Sequence, residues 1–194
     1  MIISESQKKQ LQTLFNALPS DLKGHSIRTG ITLQIFVSKI STVAPKYLSK
    51  EASSGSMHII HCAREFGFYH HLGDSLKISE GSSGISAARK LILPIFKGSW
   101  NSNGYYAIGL LDTIENHCEK WDGSGCPKGL SGTDIPFWGR ACAIAEQYDL
   151  ICSRQPRSNN TAMKELIRLA GKSLDPDLVS IFKECSDSLR ILKT

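Results

Sequence analysis

The chain has 194 residues, of which 41% are hydrophobic and 21% are charged. This is enough apolar material for the core of one domain, and it excludes a disordered or low-complexity chain. The 23 basic and 18 acidic side chains leave a net charge of +5. Such a mild and dispersed excess suits an anionic small ligand and argues against binding to a nucleic-acid polymer.

Compartment and redox state are predicted from what the sequence lacks. No apolar run approaches the roughly 20 residues that a membrane-spanning helix needs. The first ten residues also lack the charged-then-apolar order of a secretion signal. We therefore expect a cytoplasmic chain with no membrane association. The cysteines are scattered without a CxxC pair, which predicts reduced thiols rather than disulfides; they are Cys62, Cys118, Cys126, Cys142, Cys152 and Cys185.

Apolar residues recur at helical spacing along nearly the whole chain. The first helix is predicted from residue 5 to Leu18, where Pro19 ends it. Ser20 is the expected cap of a second helix that continues to Pro45. Further helices are predicted at 56–68, 85–97, 104–119, 136–153 and 160–171. A last helix is expected to start on Asp175 as its cap, with Pro176 in the first turn.

Two segments between these helices are predicted to be loops. The stretch 73–86 is rich in turn residues, and "WDGSGCPKGLSGTDIP" at 121–136 has too much glycine, proline and serine for a helix. Two-residue alternation is almost absent, and no repeat recurs at a fixed period. The sequence therefore predicts an all-α fold.

Histidine and carboxylate side chains lie on several of the predicted helices, where packing could point them at one metal ion. Ligands of this type suit iron, manganese or zinc. Taken singly, each residue is more often a hydrogen-bonded core residue, and spacing alone does not select a ligand set. The candidates are His25, His61, His117 and either Glu146 or Asp149.

Several sequence blocks together resemble the HD-GYP family of bacterial metal-dependent cyclic di-GMP phosphodiesterases. They are "NHCEKWDGSGCPKGLSGTDIP", "ACAIAEQYDLICSRQPR" and "GKSLDPDLVSIF", preceded by "HSIRTG" and "MHIIHCAREFGF". The resemblance covers roughly residues 20–185 and implies an HD-domain-like helical bundle. An N-terminal helix over 1–19 and a tail over 186–194 are expected to flank this domain.

The resemblance implies a partial ligand set in the first half of the domain. His25 matches the first metal-binding histidine of the family. His61 matches the histidine of the His-Asp pair, with Cys62 in place of the aspartate and Glu65 in place of a following lysine. Lys90 falls about where a further histidine ligand is expected. The adjacent histidines at 70 and 71 lie outside this matched set and are expected to be surface residues with no special role.

The second half of the domain carries similar substitutions. His117 is retained, Cys118 replaces the second histidine of the family's His-His-Glu block, and Cys126 replaces the tyrosine of the Gly-Tyr-Pro signature. Glu146 stands where the family has a ligand aspartate, and Asp149 keeps the second acid of that motif. The implied metal residues are therefore His25, His61, Cys62, His117, Cys118 and Glu146.

Two further features admit more than one interpretation. Arg154 and Arg157 match basic residues that face the substrate phosphates in the family, and a pair of arginines can grip a phosphate. Exposed solubilising charges are the competing interpretation. The loop from Asp122 to Pro136 is expected to be a rigid connector rather than a phosphate-binding loop.

The substitutions lead to three functional hypotheses. The family's chemistry needs two or three metals bridged by an aspartate. The loss of this aspartate predicts impaired catalysis. The chain would then be a module that binds cyclic di-GMP, a diguanylate cyclase domain or a second copy of the chain. A working phosphodiesterase with an altered, mononuclear site is the alternative. A structural zinc domain is the third hypothesis, with Cys62 and Cys118 as zinc-binding thiolates; the two thiols could instead be buried filler.

Overall fold

A computed structural model describes residues 3–48, 56–72, 84–98, 100–154 and 159–190. These residues form nine α-helices and no strand, which confirms the all-α prediction. None of these helices combines the length and apolar character needed to cross a bilayer. The helices are α1 Glu5–Asn16, α2 Ser20–Val43, α3 Ser56–Tyr69, α4 Gly84–Ile95, α5 Trp100–Asn116, α6 Phe137–Arg154, α7 Asn159–Leu169, α8 Pro176–Lys183 and α9 Ser186–Arg190. Short 3-10 helices lie at Pro45–Tyr47 and Gly132–Asp134.

The helix ends test the predicted caps. Asp175 caps α8 as predicted, its side chain accepting hydrogen bonds from the backbone N–H groups of Asp177 and Leu178. The predicted Ser20 cap is wrong, because Ser20 is already helical and Pro19 stands at the cap position without a side-chain bond. Most of the predicted loop at 73–86 lies outside the described residues, and its last residues begin α4.

The N-terminal helix packs against the rest of the molecule. Ser4 and Gln7 form a capping box that satisfies backbone donors at the start of α1. Further along α1, the Phe15 ring lies 6.3 Å from Phe68 and 6.1 Å from Tyr69, both on α3. Aromatic contact at this range attaches α1 to α3.

The core is built on aromatic contacts between helices. Phe66 of α3 contacts Tyr106 of α5 at 5.2 Å and Trp138 of α6 at 4.8 Å between ring centroids. Phe36 of α2 packs edge-on against Phe182 of α8 at 4.9 Å. Each such buried aromatic side chain contributes about 1.5–3 kcal/mol of hydrophobic stabilisation. These contacts hold α3 to α5 and α6, and α2 to α8.

Helices α2 and α3 form the most extensive helix pair of the described chain, and two glycines make their close contact possible. A Cβ added to Gly67 would lie 2.5 Å from the Cα of Gly30. A Cβ added to Gly30 would lie 2.2 Å from the Phe68 ring and 2.6 Å from the carbonyl oxygen of Arg64. The two backbones touch directly, and any larger side chain would force them apart.

The backbone N–H groups of the loop between α5 and α6 donate hydrogen bonds to the Glu119 side chain and to the turn before α8. The carboxylate of Glu119 accepts from the backbone N–H of Lys128 at 2.7 Å and of Leu130 at 3.1 Å. The N–H of Asp122 donates to the carbonyl of Lys172 at 2.8 Å, which attaches the loop to the turn before α8. This supports the prediction of a rigid connector.

Replacing Gly67 by alanine should destabilise the fold, because the added methyl group meets backbone that cannot yield. We expect Gly67→Ala to lower the free energy of unfolding by about 1–3 kcal/mol in urea denaturation. Gly104→Ala is the matched control, since a Cβ there meets nothing within 4 Å. The control should be unchanged or up to about 1 kcal/mol more stable. Equal effects for both variants would contradict the close crossing of α2 and α3.

Candidate metal centre

Four side chains converge in the space between α2, the end of α3 and α6. One ligand atom from each of them lies within 4.8 Å of all the others, and the four residues are His25, His70, His71 and Glu146. The three histidines are buried, and Glu146 is half-buried. We call these four residues the His/Glu cluster. Imidazole nitrogens and a carboxylate at this spacing could surround a single transition-metal ion.

Two histidines of the cluster are held in the tautomer that binds metal. His70 places Nδ1 2.6 Å from the carbonyl oxygen of Gly67, and a carbonyl can only accept. Nδ1 of His70 therefore carries the proton and Nε2 carries the lone pair. Nδ1 of His25 lies 2.7 Å from the Asp149 carboxylate, with the same consequence. Among the described residues, the buried Nε2 atoms of His25 and His70 have no hydrogen-bond partner, as expected of nitrogens that await an ion.

The environment of His70 also keeps its ring neutral. Burial lowers the pKa of His70 well below its usual value, and the neighbouring rings of His71 and His117 lower it further. A neutral imidazole is the form that coordinates metal. The site is therefore ready to bind a cation near neutral pH without first releasing a proton from His70.

Asp149 orients His25 from behind and is itself fixed by Arg28. The Arg28 guanidinium contacts both carboxylate oxygens, at 2.7 Å through Nε and at 3.1 Å through one terminal nitrogen. Burial raises the pKa of Asp149, but the hydrogen bonds from His25 and Arg28 outweigh it, and the net shift is downward. Asp149 thus stays ionised and holds His25 from behind, as the outer carboxylate does in carboxylate–histidine–metal sites.

His117 flanks the cluster at the end of α5. Its ring lies 5.2 Å from the ring of His70 and 5.6 Å from that of His71. Nδ1 of His117 is 3.1 Å from the carbonyl oxygens of both Thr113 and Ile114. This places its Nε2 lone pair on the far side of the ring from the helix backbone.

The structure brings together only some of the residues expected from the sequence. His25 and Glu146 belong to the cluster, with their nearest nitrogen and oxygen 3.9 Å apart. His61 is elsewhere: its side chain is 64% exposed and lies 3.8 Å from Glu65 on the same helix. Cys62 is buried in the hydrophobic core, and burial with the nearby Glu65 raises its pKa to about 12. Cys62 is therefore a core residue that does not belong to the His/Glu cluster.

Two further expected residues of the described chain also lie outside the cluster. Cys118 is an exposed thiol in the loop after α5, and Lys90 is exposed on α4. Arg154 is the last residue of α6, the helix that carries Glu146. Arg157 lies outside the described residues.

The expectation that His70 and His71 are surface residues is wrong. Their exposures are 0% and 8%, and their ring centroids are 4.0 Å apart. The sequence did contain a signal for them. Two adjacent histidines follow directly on the buried apolar residues of α3, at the point where the turn-rich segment begins. The structure thus places this pair in the cluster, whereas His61 is exposed and Cys62 lies in the hydrophobic core.

Part of the chain is similar to known proteins. Residues 110–178 match the family model described as HD domain. The chain is 39% identical over 82 residues to a cyclic di-GMP phosphodiesterase of Thermotoga maritima, covering 38% of this chain and 22% of that protein. It is 44% identical over 70 residues to a probable cyclic di-GMP phosphodiesterase of Vibrio cholerae, covering 34% and 16%. A 3′3′-cGAMP-specific phosphodiesterase of Vibrio cholerae is 39% identical over 72 residues, covering 35% and 14%.

Residues 110–178 are therefore similar to an HD domain, and the helical fold of the described chain agrees with that class. The similarity to cyclic di-GMP phosphodiesterases supports a relationship to the HD-GYP family. The matched segments span less than a quarter of the length of these relatives. The family-model match includes His117, Glu146 and Asp149, whereas His25, His70 and His71 precede residue 110.

Asp149→Asn should weaken metal binding without removing a ligand. The amide keeps the shape of the side chain but removes the negative charge that supports His25. We expect affinity for Zn²⁺ or Mn²⁺ to fall about 10–100-fold in competition titrations with a chelator. Asp112→Asn, at a half-buried acid on α5 outside the cluster, is the matched control and should bind as the unmodified protein does. Unchanged affinity in D149N would contradict the orienting role.

Proposed function

We propose that this chain binds a cyclic dinucleotide of the cyclic di-GMP class through one metal ion held by the His/Glu cluster, and that its phosphodiesterase activity is impaired. One observation carries the proposal: Glu146 is the single carboxylate among the four ligand atoms that lie within 4.8 Å of one another. The composition of the cluster bears on both the number of ions and the chemistry.

The ligand chemistry favours one ion. An imidazole with its Nδ1 committed to a hydrogen bond has one lone pair left and cannot join two metals, whereas a carboxylate can. His71 stands where the family places its bridging aspartate if the His-Asp pair falls at 70 and 71. Asp149, the other carboxylate in contact with the cluster, is already bonded to His25 and Arg28. A bound dication would therefore meet one negative charge from the cluster, and a second dication would be repelled.

The nitrogen-rich cluster also restricts the metal. Imidazole suits zinc and iron, whereas magnesium and calcium prefer oxygen ligands; manganese is intermediate. Such an ion supplies Lewis-acid neutralisation of a phosphate oxygen when bound. The chain's own residues hold the site in position: Arg28 and Asp149 orient His25, and the Gly67 carbonyl orients His70.

The nature of the ligand is inferred from the relatives. Proteins named as cyclic di-GMP and 3′3′-cGAMP phosphodiesterases share 39–44% of the aligned residues with this chain. A cyclic dinucleotide has two phosphodiester groups, of which one could meet the metal and the other an arginine. Arg154, eight residues after Glu146 on α6, and Arg157 are the proposed phosphate contacts. A diguanylate cyclase domain or a second copy of the chain as protein partner stays a prediction.

A second candidate function is supported by the same cluster. His25 and His70 are held in the metal-binding tautomer, and with His71 and Glu146 they provide four ligands. Four ligands are enough for one functional ion. An active phosphodiesterase with an atypical, mononuclear site is therefore the alternative that the experiments must separate.

The ligand set can be tested by metal content. Purified protein should contain about one zinc, iron or manganese ion per chain by elemental analysis. His70→Ala should lose this ion, with affinity at least about 100-fold weaker, because the buried Nε2 is removed from the cluster. His61→Ala is the matched control on the same segment and should keep the ion. Loss of the ion in H61A together with its retention in H70A would show that His61, and not His70, is the ligand. Circular dichroism would verify that both variants fold.

The function can be tested by separating binding from turnover. We expect cyclic di-GMP to bind to the metal-loaded protein by calorimetry, and not to H70A or after chelation. Turnover, followed as linear dinucleotide by chromatography, should be at least about 100-fold below the order of 10 s⁻¹ that is typical of enzymes. Turnover near that rate that is lost in H70A would establish the active alternative. Metal binding without any nucleotide binding would favour a structural metal domain.

A further inference from the structure

The two cysteines of the loop after α5 lie opposite each other. Cys118 follows His117 directly, and the backbone N–H of Cys126 donates to the carbonyl oxygen of Cys118 at 3.3 Å. Both cysteines are exposed. A Cβ added to Gly125 would lie 2.3 Å from the backbone nitrogen of Lys120. The chain at Gly125 therefore packs backbone against backbone on Glu119 and Lys120, the two residues that follow Cys118.

This proximity meets the main requirement for a disulfide. A backbone hydrogen bond between two residues brings their Cα atoms to within several ångströms of each other, because each Cα is bonded directly to the peptide group that takes part. Disulfides form when the two Cα atoms are about 4.4–6.8 Å apart. The backbone bond from Cys126 to Cys118 therefore makes these two cysteines the candidate pair for a disulfide in this loop.

The other cysteines are poor competitors for oxidation. Cys62, Cys142 and Cys185 are buried, with exposures of 2% or less. Burial raises the pKa of each of these thiols, which keeps them in the unreactive protonated form. Cys152 is half-buried on α6. Both exposed cysteines of the chain thus lie in this one loop.

We propose that Cys118 and Cys126 are a reversible redox modification site that forms an intramolecular disulfide. The oxidant is a dissolved disulfide such as oxidised glutathione, or a peroxide. With oxidised glutathione, one thiolate attacks the glutathione disulfide and releases one reduced glutathione. The second thiolate then attacks the mixed disulfide and releases the other. With hydrogen peroxide, a sulfenic acid forms first and the second thiol displaces water, so two thiols and one peroxide give one disulfide and two waters.

The disulfide would join the end of α5 to the middle of the loop. The part of the loop that follows Cys126 is already anchored, because the Glu119 carboxylate accepts from the N–H groups of Lys128 and Leu130. The bridge therefore closes a short ring beside His117 and leaves the rest of the loop in place. This inference goes beyond the proposed function and does not depend on metal or nucleotide binding.

The test is a peptide map of the full chain after oxidation. Protein incubated with oxidised glutathione, then alkylated and digested with trypsin without reduction, should give one new species. That species is peptide 98–120, which contains Cys118, joined to peptide 121–128, which contains Cys126, with a mass two hydrogens below their sum. Dithiothreitol before alkylation should abolish it. Oxidation with hydrogen peroxide should give the same species.

Matched serine variants make the result specific. Cys118→Ser and Cys126→Ser should each lose the joined peptide, whereas Cys152→Ser should keep it at the level of the unmodified chain. The proposal is overturned if glutathione is found separately on the two cysteines with no joined peptide, or if the joined peptide contains Cys142 or Cys152. The proposal is also overturned if added Zn²⁺ protects the two cysteines from oxidation and a chelator makes them reactive again. That result would show that they are a metal-binding pair.

Discussion

The direct contact of Gly30 with Gly67 is the constraint on which the His/Glu cluster depends. His25 lies on α2, five residues before Gly30. His70 and His71 follow Gly67 by three and four residues and lie just past the end of α3. A helix rises 1.5 Å per residue, so these displacements of about 5–8 Å bring the three histidines to the same level between antiparallel helices. Side chains at the crossing would separate the helices and open the cluster.

Precise coordination also needs the imidazoles to present the right nitrogen, and different acceptors achieve this. His25 is oriented by the carboxylate of Asp149, whereas His70 and His117 are oriented by backbone carbonyls of their own segments. Because these acceptors belong to the backbone, the orientations of the His70 and His117 rings follow from the local chain geometry. The orientation of His25 instead needs α6 and the exposed Arg28 to be in place, which couples this ligand to the packing of α2 on α6.

Helical geometry explains why the metal-ligand prediction selected His61 and not His70. His61 and His70 are nine residues apart, which at 100° per residue is two and a half turns. Side chains at that spacing point to opposite sides of α3, and His61 accordingly faces solvent. Both "HC" at 61–62 and "HH" at 70–71 follow apolar helical residues. Pattern alone could not choose between them, because the choice depends on which face of α3 packs on α2.

The sequence by itself determined the helical class of the fold, the loop at 121–136, the Asp175 cap, and His25 and Glu146 as residues of the cluster. These follow from local periodicity, turn chemistry and blocks of residues contiguous in the chain. Only the tertiary structure decided that His70 and His71 complete the cluster, that Cys62 is core, and that Cys118 meets Cys126. Each of these depends on contacts between segments that are apart in sequence, and burial there is set by the packing of one helix on another.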